Sequence, residues 1–326
     1  MGTPVIGVQG GGYPEAGTWQ VSFGWRRQMS DKHFVGSEYQ ENRTTEGSEV
    51  INHLNLFDMS VAYQATKRLQ VSLGVPFPTA TRSQALRSNG VLVERYQTQA
   101  RGIGDVIASA RTWLFDPDTH PNGNLLIGGG LKLPTGENNV TDTFRVLTAG
   151  VPTNVIRTVD QSIQPGDGGF GLIGDISGFM TMGKISLYAS GAYLINPQEV
   201  SGVQTYRGGS GEGVMSIADQ YLARGGAAFG IPGTSTMSGS FGVRLEGVPV
   251  EDLFGGSEGF RRPGIAISLE PIVTWTKGKH GVSLGVPFAI YRNRFQSVAD
   301  QAATPPRHGD AAFADYLIMF GYTRRF

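Results

Sequence analysis

Residues 19–27 place Trp19, Val21, Phe23 and Trp25 at one set of alternate positions and Gln20, Ser22, Gly24 and Arg26 at the other. Successive side chains of a strand point to opposite faces, so strict period two describes a strand between two different solvents. The pattern returns in Phe57, Met59, Val61 and Tyr63, and again in Leu69, Val71, Leu73, Val75 and Phe77. Only residues 64–68 separate these two runs, which predicts a hairpin. Alternating segments continue over residues 105–115, 124–133, 169–179, 184–195, 220–229, 238–246, 264–275, 281–291 and 315–326, giving about twelve strands.

The gaps between strands alternate in length. Short turns are predicted near 64–68, 116–123, 180–183, 230–237 and 277–280, and long polar stretches at 28–51, 78–103, 134–168, 196–219, 247–263 and 292–314. Outer-membrane barrels have short periplasmic turns and long extracellular loops, and an even strand count returns both chain ends to the periplasm. A soluble Gly-rich β protein has no reason to sort its loops by length. The expectation is an all-β chain: a single antiparallel transmembrane β-barrel over residues 19–326, preceded by a flexible Gly-rich segment, 1–18.

Composition agrees with this reading. No apolar run approaches 18 residues, which excludes a membrane-spanning helix, whereas a spanning strand needs only about 9–11 residues with one apolar face. The absence of cysteine removes disulfides, thiolate metal sites and cysteine nucleophiles together. With 27 basic and 27 acidic residues, nothing points to a nucleic-acid partner. The opening MGTPVIGVQGGG lacks a basic stretch followed by an apolar one, so a mature or recombinant form without its signal peptide is expected.

Aromatic residues fall at two levels. Trp19, Tyr63, Phe115, Phe229, Trp275 and Phe326 are expected near periplasmic strand ends, and Trp25, Phe57, Phe77, Phe170, Tyr193, Phe288 and Tyr316 near the opposite ends. Two such levels match interfacial girdles; the competing explanation is that aromatics simply favour strands.

In phase with the inner face come Arg26, Asp58, Arg111, Lys132, Asp175, Lys184, Arg244, Glu246 and Glu270, the pore-lining candidates. A Lys or Arg facing lipid at the midplane costs about 2–4 kcal/mol, so their shared phase assigns them inward. Both signs occur in near balance, which fits passage of neutral solutes or, equally, internal ion pairs that fill the barrel. Small inward residues such as Ser72, Gly74, Gly128, Gly130, Ser240 and Gly242 leave room for a narrow polar channel. Residues 134–168 could fold in and close it, and Gly10–Gly12 could let the first residues enter the lumen.

Asp105, Asp167, Asp219 and Asp310 fall near extracellular strand ends, where an acidic ring would favour cations. The plainer reading is that Asp and Gly start strands and satisfy loop backbone groups. His33, His53, His120, His280 and His308 show no metal-ligand spacing, and no Ser and His share an outward stripe as a barrel hydrolase requires. No enzyme, metal or cofactor is expected.

Particular motifs recur at strand ends. SLGVPF occurs at 72–77 and 283–288, GGLKLPTGE at 129–137, GIGD at 102–105 and GDGG at 166–169. Pro76, Pro134 and Pro287 lack a ladder donor and are expected to mark where pairing stops at the outer rim. Residues 315–326, DYLIMFGYTRRF, set Tyr316, Ile318, Phe320, Tyr322 and Phe326 on one face and Leu317 and Met319 on the other. This last run resembles the closing strand of a bacterial outer-membrane barrel. The motifs together resemble the outer-membrane family named for the meta-pathway of phenol degradation, most clearly over residues 69–137.

The resemblance implies the outer membrane of a Gram-negative cell, with the lipid bilayer and lipopolysaccharide as surroundings and the barrel assembly machinery acting on Tyr316, Phe320, Tyr322 and Phe326. It also implies a porin-like channel for passive transport of small solutes, hydrophobic and aromatic compounds among them. A structural barrel that anchors or sheathes partner proteins without conducting is the alternative.

Overall fold

The computed structural model describes residues 13–326. Residues 1–12, including the Gly10–Gly12 run, lie outside the described residues. Strand β1, Trp19–Val35, is followed by the short β2, Glu38–Tyr39, helix α1, Glu41–Thr45, and β3, Ile51–Gln64. Next come β4, Leu69–Ser88, β5, Val91–Arg101, β6, Val106–Trp113, and β7, Gly123–Leu133. A separate hairpin of β8, Thr141–Thr148, and β9, Val151–Thr158, precedes β10, Gly171–Met182, and β11, Ile185–Ile195. The short pair β12, Val200–Gln204, and β13, Val214–Ser216, leads into β14, Gln220–Gly230, β15, Met237–Val248, and β16, Gly264–Lys277. The remaining elements are β17, His280–Gly285, β18, Phe288–Arg294, helix α2, Val298–Ala302, and β19, Ala311–Arg325.

The main sheet closes on itself as a 12-strand antiparallel barrel, with β17 and β18 forming two halves of one pass. Its seam is the pairing of β19 with β1, from Gln20 opposite Arg325 to Phe34 opposite Ala311. The last residue joins it, because the Phe326 amide donates to the Trp19 carbonyl at 2.9 Å. Closure leaves no open edge, which lipid would not tolerate. Each of the twelve expected strands corresponds to one pass.

Several expected loops are instead built structure. Above Phe77 the β4 strand leaves β6, with which it pairs only as far as Gly74 opposite Ile107, and continues with β5 from Thr79 opposite Arg101 to Ser88 opposite Val91. Residues 78–103 are therefore a projecting hairpin rather than a loop. Beyond the bilayer no solvent demands an apolar outer face, so these strands lose the period-two signature by which the others are found.

The prolines behave unequally. Pro134 follows the last residue of β7, as expected. Pro76 ends pairing only on the β6 side, since β3 stays paired to β4 up to Ile51 opposite Ser83; the Pro76 and Pro78 carbonyls accept from Gly104 and Gly102. Pro287 interrupts a pass that resumes at Phe288, and its carbonyl accepts from the Leu317 amide.

The outward face carries exposed large apolar side chains at the heart of the strands, among them Met59, Leu73, Ile127, Ile176, Phe241 and Leu284, at 41–53% exposure. A water-soluble protein does not expose so continuous a belt, and a bilayer covers it. Trp25, Phe57 and Phe77 are directly opposite one another at its upper edge, where the Trp25 indole N–H donates to Asn55 at 3.2 Å. At the lower edge Trp19 and Tyr63 have ring centroids 4.7 Å apart. Leu73→Arg is expected to cost about 2–4 kcal/mol, the penalty for a midplane cation, read from denaturant titration of folding in lipid vesicles, and the wild-type barrel is expected to show a heat-dependent shift in gel migration.

Candidate functional site

The inner face is built around charges that meet across strands. Arg111 on β6 and Asp175 on β10 reach over the intervening strand β7, with Arg111 Nε 2.9 Å from Asp175 Oδ1. They cross at Gly128, where a Cβ would fall 2.4 Å from Asp175 Oδ2 and 2.7 Å from Arg111 Cγ. Glycine is required there by space, so this small residue makes room for an ion pair. Gly242 serves similarly on β15: a Cβ there would lie 2.6 Å from the Tyr188 hydroxyl. The expectation that small inward residues leave an open lumen is corrected at these two positions.

On the opposite wall Arg224 and Arg244 stand directly across from each other on β14 and β15. Like charges so placed repel. Glu270 on β16, fully buried, resolves the conflict by accepting from Arg224 Nε at 2.7 Å and pairing with Arg244 Nη1 at 3.6 Å. Arg244 also donates to Glu246 at 2.6 Å. Asp58 lies opposite Gly24 on the neighbouring strand, two residues from Arg26. Lys132 pairs with Asp167 at the upper end of β7. Lys184, expected inside, is exposed in the turn between β10 and β11, because β11 begins at Ile185, one residue later than the alternation suggested. An apolar strip also lines the wall: a Cβ at Gly285 would meet Ile272 Cγ1 at 3.2 Å and Met319 Cε at 3.3 Å, and Leu317 on the same face of β19 is buried.

The rim aspartates are all engaged. Asp105 accepts from the Gly136 and Asp167 amides, and burial followed by the proximity of Asp167 raises its affinity for a proton. Asp219 accepts from the Asn196 and Leu253 amides at 2.6 and 2.8 Å, joining two loops. Asp310 bonds His33 and Arg43; burial opposes its ionisation, but the His33 hydrogen bond and the Arg43 charge outweigh it and hold the carboxyl well below its usual range. These contacts are those of loop anchors.

Above the barrel the long connections form one cap. The β8–β9 hairpin brings Phe144, Val159 and Ile163 against Ala80 and Ala100 of the β4–β5 hairpin, with Leu54, Tyr96 and Tyr206 packed around them. Asp160, at 2% exposure, follows β9 and accepts a two-pronged bond from Arg262 at 2.7 and 2.8 Å. Arg207 and Arg82 approach the same carboxylate at 3.3 and 3.5 Å, and the Tyr206 hydroxyl donates to it at 3.0 Å. Three connections and the β4 wall thus converge on one anion. A second clasp joins Arg261 to Asp252 at 2.6 Å and to Ser216, and a third joins Arg307 to Glu212 and Asp300.

At the other mouth, residues 13–18 cross from β1 to the far wall. Tyr13 meets Trp113 edge-on at 5.0 Å and Phe179 at 6.2 Å, and its hydroxyl donates to the His120 carbonyl. The Gly17 amide and Thr18 carbonyl bond Gln64, fixing the base of this strap.

Sequence reasoning overlooked Arg224, whose phase between Leu222 and Gly226 marks it as inward. It also overlooked Asp160, Arg82, Arg207 and Arg262, which come from segments without periodicity and meet only through the folding of distant loops.

No family model matches the chain, and no curated protein matches it. Among solved structures, an outer membrane channel from Pseudomonas putida F1 is similar at 13% identity and a TM-score of 0.62, over 98% of this chain and 100% of that one. The Ralstonia pickettii toluene transporter TbuX is similar at 12% identity and a TM-score of 0.50, over 96% and 90% of the two chains. The fold is that of the bacterial outer-membrane β-barrels. Within that class this chain is a 12-strand barrel with a charge-paired inner wall and an ion-paired extracellular cap.

Two outcomes follow from the geometry. Gly128→Ala forces Arg111 and Asp175 apart and is expected to destabilise the barrel by about 1–3 kcal/mol, the usual cost of overpacking, read as a lower denaturation midpoint. Burial opposes ionisation of Asp160, but Arg262, Arg82 and Arg207 hold its carboxyl well below the ordinary value. A depressed folded-state value stabilises the cap above the unfolded carboxylate range and is lost as pH falls through the depressed value. The cap should therefore resist proteolysis at pH 5 and 7 and yield only well below about pH 4, whereas Asp160→Asn should expose it to cleavage at pH 7.

Proposed function

We propose that this protein is an outer-membrane channel for the passive passage of small solutes, hydrophobic and aromatic compounds among them. The observation that carries the reading is the inner wall itself: its charges meet in opposite-sign pairs, as at Arg111 with Asp175 and Arg224 with Glu270, beside the apolar strip of Ile272, Leu317 and Met319. A wall of one sign would select ions; a neutralised wall with an apolar track suits uncharged solutes. The likeness to the structures of an outer membrane channel and a toluene transporter supports the same reading. Arg26, Asp58, Arg111, Lys132, Asp175, Arg244, Glu246 and Glu270 line the path in this proposal, and Asp105, Asp167, Asp219 and Asp310 hold the loops around its outer mouth. The apolar belt meets the bilayer, lipopolysaccharide surrounds the extracellular half, and the barrel assembly machinery inserts the chain. Chemistry on the solute has no part in it.

The same pairing also favours a second reading, a structural barrel whose internal ion pairs and clasped loops hold it shut. Planar-bilayer recording of the refolded protein separates the two. The channel reading expects stepwise conductance with little preference between cations and anions. Arg111→Gln, which leaves Asp175 uncompensated, should shift the reversal potential toward cation preference. A barrel that stays electrically silent in wild type and variant would remove the channel proposal.

A further inference from the structure

One cluster in the cap gathers more positive charge than it balances. Arg82, Arg207 and Arg262 all share Asp160, and among the described residues none of the three has another carboxylate within ion-pair distance. The Nε atoms of Arg82 and Arg207 are buried and have no hydrogen-bond partner among the described residues. A buried guanidinium N–H without an acceptor is costly, and three guanidiniums on one carboxylate leave a net positive cluster that an added anion would neutralise. Beside it opens a cavity of about 340 Å³, between the end of β9 and the segment that follows β12, lined by Arg157, Thr158, Gln204, Tyr206 and Arg207. Arg157 is exposed at its edge and forms no ion pair among the described residues; Asp142, opposite it in the hairpin, is occupied by the amides of Gln99 and Thr143.

We propose that this cavity is an extracellular capture site for small organic carboxylates. Two guanidiniums, Arg157 and Arg207, receive the carboxylate oxygens, since the flat fork of arginine matches the flat carboxylate. The Tyr206 ring and the Thr158 side chain line the space for the ligand's body. The Tyr206 ring at its wall offers an apolar face that an organic body can cover and a bare inorganic ion cannot. Arg207 is held ready for such a ligand, because its guanidinium carbon stands 4.1 Å from the centre of the Phe260 ring, which fixes the group in place while Asp160 takes only one of its nitrogens. Capture stands on the cap alone and does not depend on the channel reading above, which concerns uncharged solutes.

The test is calorimetric titration of the full-length protein in detergent at low ionic strength, with sodium benzoate and, separately, inorganic phosphate. Saturable benzoate binding is expected, weakened at least about tenfold, or about 1.4 kcal/mol, in Arg157→Gln and in Arg207→Gln, with phosphate binding more weakly than benzoate. Arg157→Gln breaks no ion pair, so it keeps the test decisive if Arg207→Gln loosens the cap, and heat-dependent gel migration reports the fold of both. Absence of saturable binding, binding unchanged in Arg157→Gln, or phosphate binding as tightly as benzoate would each overturn the proposal. Because binding is read without a bilayer, an electrically silent protein that still binds benzoate through Arg157 would refute the channel and leave the capture site standing.

Discussion

In hydrocarbon a backbone N–H has no water to fall back on, and the rest of this structure follows from that single demand. A sheet meets it only by returning to its first strand, which here means β19 running along β1 from Arg325 to Ala311. Once the ring is closed, alternation assigns every side chain to lipid or to the interior. Trp19, Val21 and Phe23 go outward, while Gln20, Ser22 and Arg26 go inward. The apolar belt, the inward charges and the sorting of turns from loops are consequences of closure rather than separate designs.

The interior then faces an electrostatic problem of its own. Charges turned away from lipid are held near one another at low solvent exposure, where unpaired ions are expensive. The barrel answers with pairs that cross strands, and with glycines where the pairs need space. Glu270 between Arg224 and Arg244 shows the logic, since one carboxylate makes two facing arginines compatible. Neutrality of the wall is thus a condition of its stability as well as a feature that bears on what could pass along it.

Legibility in the sequence follows the boundary of the bilayer. Where a strand separates lipid from interior, as in residues 19–27 or 315–326, period two is forced and the pass can be read directly. Where the same strand rises above the lipid, as β4 does beyond Phe77, both faces are polar or half-buried and the signal vanishes. Inward charges such as Arg111 and Glu270 were legible by phase alone, and Arg224 was equally so. Partners across strands were not, because register fixes which inward residues meet. The convergence of Arg82, Arg207 and Arg262 on Asp160 was out of reach: separations of 47 to 102 residues from Asp160 hold no local pattern, and the packing of Phe144 and Ile163 with Tyr206 helps bring the loops together.

The clasps in the cap bear on how this surface can diverge. Surface loops ordinarily vary in length and sequence independently of one another. Here residues 134–170, 196–219, 249–263 and 295–310 are joined through Asp160, through Arg261 with Ser216, and through Arg307 with Glu212. An insertion in one of them displaces an arginine or a carboxylate that another needs, so lineages of this barrel should change their outer face in coordinated steps, with compensating substitutions at the clasp positions. To an antibody or a phage the exterior is one composite epitope, remodelled as a whole or left alone.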